Sequence, residues 1–174
     1  MQSILAEKPK FDVKLIELSS RSDVFEGYSS GHSQRIAEIV DSLGLVFNFE
    51  PHDRLLLQQA ALVRNVGEMQ MNRDYIRKGG VLSSEERLDL QRHPVIGEQA
   101  AAKMGLSRGV QLIVRWHHEW WNGSGYPDGL EGEHIPLAAR MLRVADTYLA
   151  LTSDRPFRAA LSEDAAKRYL VEWA

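Results

Sequence analysis

His117-His118-Glu119-Trp120-Trp121-Asn122-Gly123-Ser124-Gly125-Tyr126-Pro127, followed by Val144-Ala145-Asp146 and Thr152-Ser153-Asp154-Arg155-Pro156-Phe157-Arg158, is the stretch around which the rest of the chain is read. Two adjacent histidines and a helical aspartate supply neutral nitrogen and anionic oxygen, the donors that a divalent metal takes. Neighbouring helical residues point about 100° apart, so one imidazole can face a first ion while its neighbour faces a second or packs. Upstream, Val110, Ile113, Val114 and His117 recur on one face of a helix starting at Ser107, which turns His117 into the core. Downstream, four glycines with Pro127 and Pro136 form a long loop, of the kind that is usually functional or mobile.

Working outward, the periodicity is helical throughout. Ile36, Ile39, Val40 and Leu43 mark an amphipathic helix from Gly31 to Gly44, with His32 at its start and Gly44 as its stop. Leu55 to Val66 is apolar on most sides, which predicts a central buried helix closed by Gly67, with Arg64 and Asn65 polar at its end. A turn at Gly79-Gly80 precedes Ser83 and Glu86 at capping-box spacing, so a helix runs from there toward His93. Pro94 either starts the next helix or kinks this one. Further helices are expected from about Val95 to Met104, from Pro136 to Thr152 and from Ser162 to Trp173. No segment alternates as a strand, so the fold class is all-α: residues 1–28 form a lead-in helix and 29–174 the domain proper, in one globular unit.

Composition narrows the setting. The chain has 174 residues, 44% of them hydrophobic, enough for one sizeable core. With no cysteine, disulfides and thiolate metal sites are excluded. Nothing approaches the ~20 apolar residues of a membrane span, and the amino terminus has no leader pattern, so cytoplasmic residence is expected. A net charge of −3 with interspersed signs gives no footprint for nucleic-acid binding.

The quoted stretch, with Ser29-Ser30-Gly31-His32-Ser33 and Gln91-Arg92-His93-Pro94-Val95-Ile96-Gly97, resembles the HD-GYP family, bacterial helical phosphodiesterases of the HD superfamily that open cyclic di-GMP. The resemblance implies an HD-superfamily helical bundle with the Gly-Tyr-Pro loop added. It also implies metal ligands at His32, His93, His117, His118 and Asp146, phosphate contacts at Arg155 and Arg158, and an interaction loop at Gly125, Tyr126 and Pro127. The superfamily's His-Asp pair is missing. Arg64 stands where the His belongs, Asn65 where the metal-bridging Asp belongs, and Glu68 where a phosphate-facing Lys belongs. Arginine has five donors and no acceptor, so it cannot ligate a metal. A neutral amide cannot offset two dications that a bridging carboxylate would bring to within about 4 Å. Glu68 reverses charge beside a phosphodiester. Leu149 replaces a carboxylate associated with holding guanine, and Asn122 replaces a loop Asp.

The residues also admit plainer readings. His93, His117 and His118 can be core histidines bonded to carbonyls, and His32 a solvated neighbour of a helix cap. Arg155 and Arg158 can pin their own loop. Trp116, Trp120 and Trp121 are read as packing, Tyr126 as an exposed contact, and His52 and His134 as surface residues. Asp146, costly to bury alone, needs a metal or an arginine, and Arg64 is the favoured partner. The expectation is a catalytically inactive relative acting in cyclic di-GMP signalling through protein contacts or nucleotide sensing. Diguanylate cyclases or other signalling proteins are its expected partners. The alternative is a metal-dependent cyclic di-GMP phosphodiesterase with an altered site. No resident cofactor is expected beyond one divalent iron, manganese, zinc or nickel at low occupancy. The family portion usually continues past Glu172-Trp173-Ala174, and an apolar edge there would favour a homodimer.

Overall fold

A computed structural model describes residues 12–78, 80–155 and 158–172. Gly79 of the expected turn, Pro156 and Phe157 of the basic stretch, and Trp173 lie outside them. The described residues form ten α-helices, in order α1 Val13–Phe25, α2 His32–Val46, α3 Pro51–Val63, α4 Val66–Met71, α5 Asp74–Lys78, α6 Ser84–Leu90, α7 His93–Lys103, α8 Arg108–Trp116, α9 Leu137–Leu151 and α10 Glu163–Glu172. The described residues contain no strand, only isolated bridges at Asn122–Glu131 and Arg155–Arg158.

The central helix is α3, where Leu57, Ala60, Ala61, Leu62 and Val63 are fully buried. It packs against α1, α2, α8 and α9, and Ile36, Val40, Val110, Val114 and Leu142 close the core around it. Each such aliphatic side chain contributes about 1.5–3 kcal/mol by leaving water. The lead-in helix α1 belongs to the same body, with Leu15 in the core.

Two expected helix ends fall elsewhere. Gly44 does not stop α2, which continues to Val46. A Cβ at Gly44 would lie 2.8 Å from Arg54 Cγ, so the glycine serves close approach to α3. Nor does Gly67 close the central helix. The break comes at Asn65, whose φ of −107° and ψ of 14° lie outside the helical region, and α4 begins at once. Gly67 sits inside α4, where a Cβ would meet the His93 carbonyl oxygen at 2.0 Å. The absence of a side chain lets α4 press against the start of α7.

At Ser83 the capping box forms in both directions, Glu86 N to Ser83 Oγ at 3.1 Å and Ser83 N to Glu86 Oε2 at 2.8 Å. Pro94 takes the first turn of α7, where its missing N–H costs nothing. Because α7 and α8 form a packed hairpin, the start of α7 and the end of α8 come together. His93 and His117 meet there.

Candidate functional site

The start of α2, the end of α3, the α7–α8 hairpin and the middle of α9 converge on a polar pocket inside the bundle. Its centre is Arg64, only 1% exposed. Arg64 Nε donates to Asp146 Oδ1 at 2.6 Å, and Nη1 donates to Ser33 Oγ at 2.7 Å and to the Ala61 carbonyl at 3.2 Å. Ser33 is held in turn by buried Asp23, which accepts its N–H at 3.1 Å and its hydroxyl. Burial works to raise the Asp146 carboxyl, yet the Arg64 guanidinium and neighbouring cationic charge hold it below the usual range. Arg64 itself, disfavoured by burial, is held protonated by Asp146 and Glu26.

Asn65 turns the other way and donates to Glu26 Oε2 at 2.8 Å, while Glu26 Oε1 accepts from Ser22 at 3.1 Å. Burial pushes the Glu26 carboxyl up to about 7, against the opposing pull of Arg64. Glu68 lies 4.0 Å from His93 and is likewise raised, by burial and by Glu26. Both acids line a cleft of about 290 Å3 that also reaches His118, Asp146 and Arg155.

His93, His117 and His118 form a cluster whose ligand atoms lie within 4.8 Å of one another, an arrangement that could hold a metal ion. His93 and His117 donate Nδ1–H to the Leu90 and Val114 carbonyls, at 2.8 and 2.7 Å. Their Nε2 atoms are buried without a hydrogen-bond partner, and lone pairs so oriented are what a metal takes. Burial lowers His93 to about 3 and His117 to about 4, so both are neutral at pH 7. These donors fit one divalent transition metal. Beside them a guanidinium already occupies Asp146, and Asn65 presents a neutral amide rather than a carboxylate.

His32 takes neither expected role cleanly. It is fully buried, which rules out the solvated position, and it stacks on Tyr28 with ring centroids 3.7 Å apart. The three-histidine cluster does not include it. Arg155 lies over the other partner, 4.4 Å from the Tyr28 centroid, and donates to the Glu26 carbonyl at 2.6 Å. Arg158 donates to the Ala150 and Leu151 carbonyls at the end of α9. Arg155 thus borders the cleft, and Arg158 is engaged in closing a helix.

The long loop is tied to its own head by side-chain hydrogen bonds. Buried Glu119 accepts three backbone N–H groups, from Asp128, Gly129 and Leu130, at 2.7, 3.1 and 2.9 Å. Asp128 is clasped by Arg115 and by Trp116 Nε1. Asn122 accepts from Ser124 N–H and hydroxyl, a local turn bond that an amide oxygen makes without charge. A Cβ at Gly125 would fall 2.3 Å from Trp120 N, so the chain passes too close for a side chain there.

Tyr126 is half-buried rather than the exposed contact expected of it, with its ring stacked on His118 at 4.8 Å and 13°. Trp121 is 53% exposed, which corrects its reading as packing. His52 and His134 are on the surface as expected, and Leu149 packs against the core.

Asp23, Glu26, Ser33, Glu119 and Arg143 were missed as site residues. Asp23 lies in α1 and Glu26 caps its carboxyl end, and the weak periodicity of that helix gave no signal. Glu119 sits at the head of a loop, and only the fold shows which amides it collects. Arg143, a charge inside the apolar run Met141-Leu142-Arg143-Val144, was the one legible anomaly.

Residues 21–174 match the family described as HD domain. The 3'3'-cGAMP-specific phosphodiesterase 3 of Vibrio cholerae is 32% identical over 86% of this chain and 33% of its own length. A cyclic di-GMP phosphodiesterase of the same organism is 34% identical over 92% and 36%. The cyclic di-GMP phosphodiesterase response regulator RpfG of Xanthomonas campestris is 33% identical over 90% and 42%. The chain therefore spans well under half the length of these curated relatives. A crystal structure of V. cholerae V-cGAP3, a cyclic GMP-AMP specific phosphodiesterase, shares the fold at a TM-score of 0.72 and 18% identity, covering 92% of this chain and 44% of that one.

Proposed function

The chain belongs to the HD domain family, in its HD-GYP branch, and from that premise we propose that it serves cyclic di-GMP signalling without hydrolysing the nucleotide. The relatives carry hydrolase names, so the loss of hydrolysis rests wholly on this chain's own residues. The observation that carries it is the 2.6 Å pair between Arg64 and Asp146. Two divalent ions bridged by a carboxylate would supply a hydroxide nucleophile and neutralise the phosphodiester. Here a side-chain cation takes the acid such ions would need, and Asn65, which donates its amide N–H to Glu26, offers a neutral oxygen in place of a bridging carboxylate.

What remains suits recognition. Arg155 stacked on Tyr28 borders the cleft, and arginine forks suit phosphate. Tyr126 and Pro127 border a separate surface cleft with Arg92, Val95 and Ile96, a place for a signalling partner such as a diguanylate cyclase. No helix of the described residues is long and apolar enough to cross a membrane.

A second reading, a metal-dependent cyclic di-GMP phosphodiesterase with an altered site, is favoured by the relatives' names and by the cluster of His93, His117 and His118. Turnover separates the two. The purified protein is expected to release no linear dinucleotide or GMP from cyclic di-GMP or 3'3'-cGAMP with manganese, iron or magnesium. Metal-dependent release abolished by His117→Ala would establish the second reading instead.

A further inference from the structure

Arg143 lies on α9, one turn before Asp146's neighbours enter the pocket, and its charge is not accounted for by any ion pair described above. Its Nη1 is 2.9 Å from His118 Nδ1. A guanidinium can only donate, so Nδ1 must be the accepting nitrogen of that imidazole. A neutral imidazole has one lone-pair nitrogen, and the proton of His118 therefore sits on Nε2.

The other two members of the cluster are set in the opposite tautomer. His93 and His117 donate Nδ1–H to backbone carbonyls and keep Nε2 bare. Three histidines thus come together with only two lone pairs free. The third is held by Arg143, whose guanidinium carbon lies 5.3 Å over the Trp120 ring. Tyr126 stacks against a face of the same imidazole. Side chains from α9 and the long loop fix both the arginine and the ring it holds.

We propose that Arg143 is a positioning residue that withholds His118 from the cluster, limiting it to a two-nitrogen site and keeping its affinity for divalent transition metal low. Metal could recruit His118 only by displacing the guanidinium or stripping the Nε2 proton. Arg143 then does at His118 what Arg64 does at Asp146: a cation of the protein takes an acceptor that a cation from solution would use. The inference concerns the pocket of the proposed function but needs no nucleotide, so its outcome is read separately from turnover.

Two measurements on the full chain test it. Long-range proton–nitrogen NMR of the imidazoles in metal-free protein should show His118 as the Nε2–H tautomer and His93 and His117 as Nδ1–H tautomers. Finding His118 protonated on Nδ1 would overturn the proposal. Titration with cobalt(II), followed by visible absorption, should then show Arg143→Met binding about 10–100-fold more tightly than the unaltered protein, the scale on which partners of metal-binding histidines act. The spectrum should also gain intensity from a third nitrogen. Equal affinity and equal spectra would refute it. Methionine keeps a long stem against Trp120, and should that variant not fold, the tautomer of His118 in the unaltered protein decides alone.

Discussion

Replacing Arg64 with alanine leaves Asp146 without its partner at 2.6 Å, removes the donor to Ser33 at 2.7 Å and opens the volume of a fully buried side chain. Removing one partner of a buried ion pair costs about 3–5 kcal/mol, most of it the penalty on the charge left behind. Here burial alone would raise the Asp146 carboxyl, and Arg64 is what offsets it, so the carboxylate must either take a proton or draw in water. A domain of this size has about 5–15 kcal/mol of total stability, and Arg64→Ala is expected to remove roughly a fifth or more of it. Urea unfolding followed by helical circular dichroism at pH 7 measures the loss. Alanine at both Arg64 and Asp146 should be less destabilising than the sum of the two single changes, because the stranded charge is gone. A loss below about 1 kcal/mol for Arg64→Ala, the worth of an exposed pair, would show that the guanidinium is not buried against Asp146.

Two further outcomes follow from the same geometry. His93 and His117 fold neutral with values lowered to about 3 and about 4 from an ordinary 6.5, so below pH 6.5 the unfolded chain takes up protons that the native chain refuses. Glu26, raised to about 7 from 4.5, and Glu68, also raised by burial, act oppositely, and the stability from the native proton of Glu26 is lost as pH rises through 7. The lowering of His32 to about 3 and of His118 adds to the histidine side, so the urea midpoint should fall steadily from pH 6.5 to 4.5, and a flat midpoint across that window would refute the neutral cluster. Gly125→Ala, whose Cβ would meet Trp120 N at 2.3 Å and the His118 carbonyl at 2.6 Å, should cost about 1–3 kcal/mol by overpacking. It should also change the near-ultraviolet circular dichroism of the tryptophans; an unchanged spectrum and midpoint would mean the loop does not pass so close.

The all-α class was legible because the apolar residues repeat at helical spacing, and that signal is local. Ser83 and Glu86 announced their helix end for the same reason: a capping box is made by residues three apart. The long motif around Gly125, Tyr126 and Pro127 carried the family, and Arg64 with Asn65 carried the suspicion about hydrolysis, since an arginine offers a metal no lone pair wherever it points. Local signals failed where the cause was a distant neighbour. Gly44 and Gly67 looked like helix stops, but each is small because another element crosses it, Arg54 in one case and the His93 carbonyl in the other. Tyr126 looked exposed because a loop's sequence does not say which ring lies beneath it. Asp23 and Glu26 gave no sign at all, because their significance lies in Ser33, ten residues from Asp23, and Asn65, thirty-nine from Glu26. The same holds for Arg143, which is twenty-five residues from His118 in the chain and 2.9 Å from it in the fold. Sequence determined which donors and acceptors the pocket contains; only packing decided which acceptors the chain's own cations occupy.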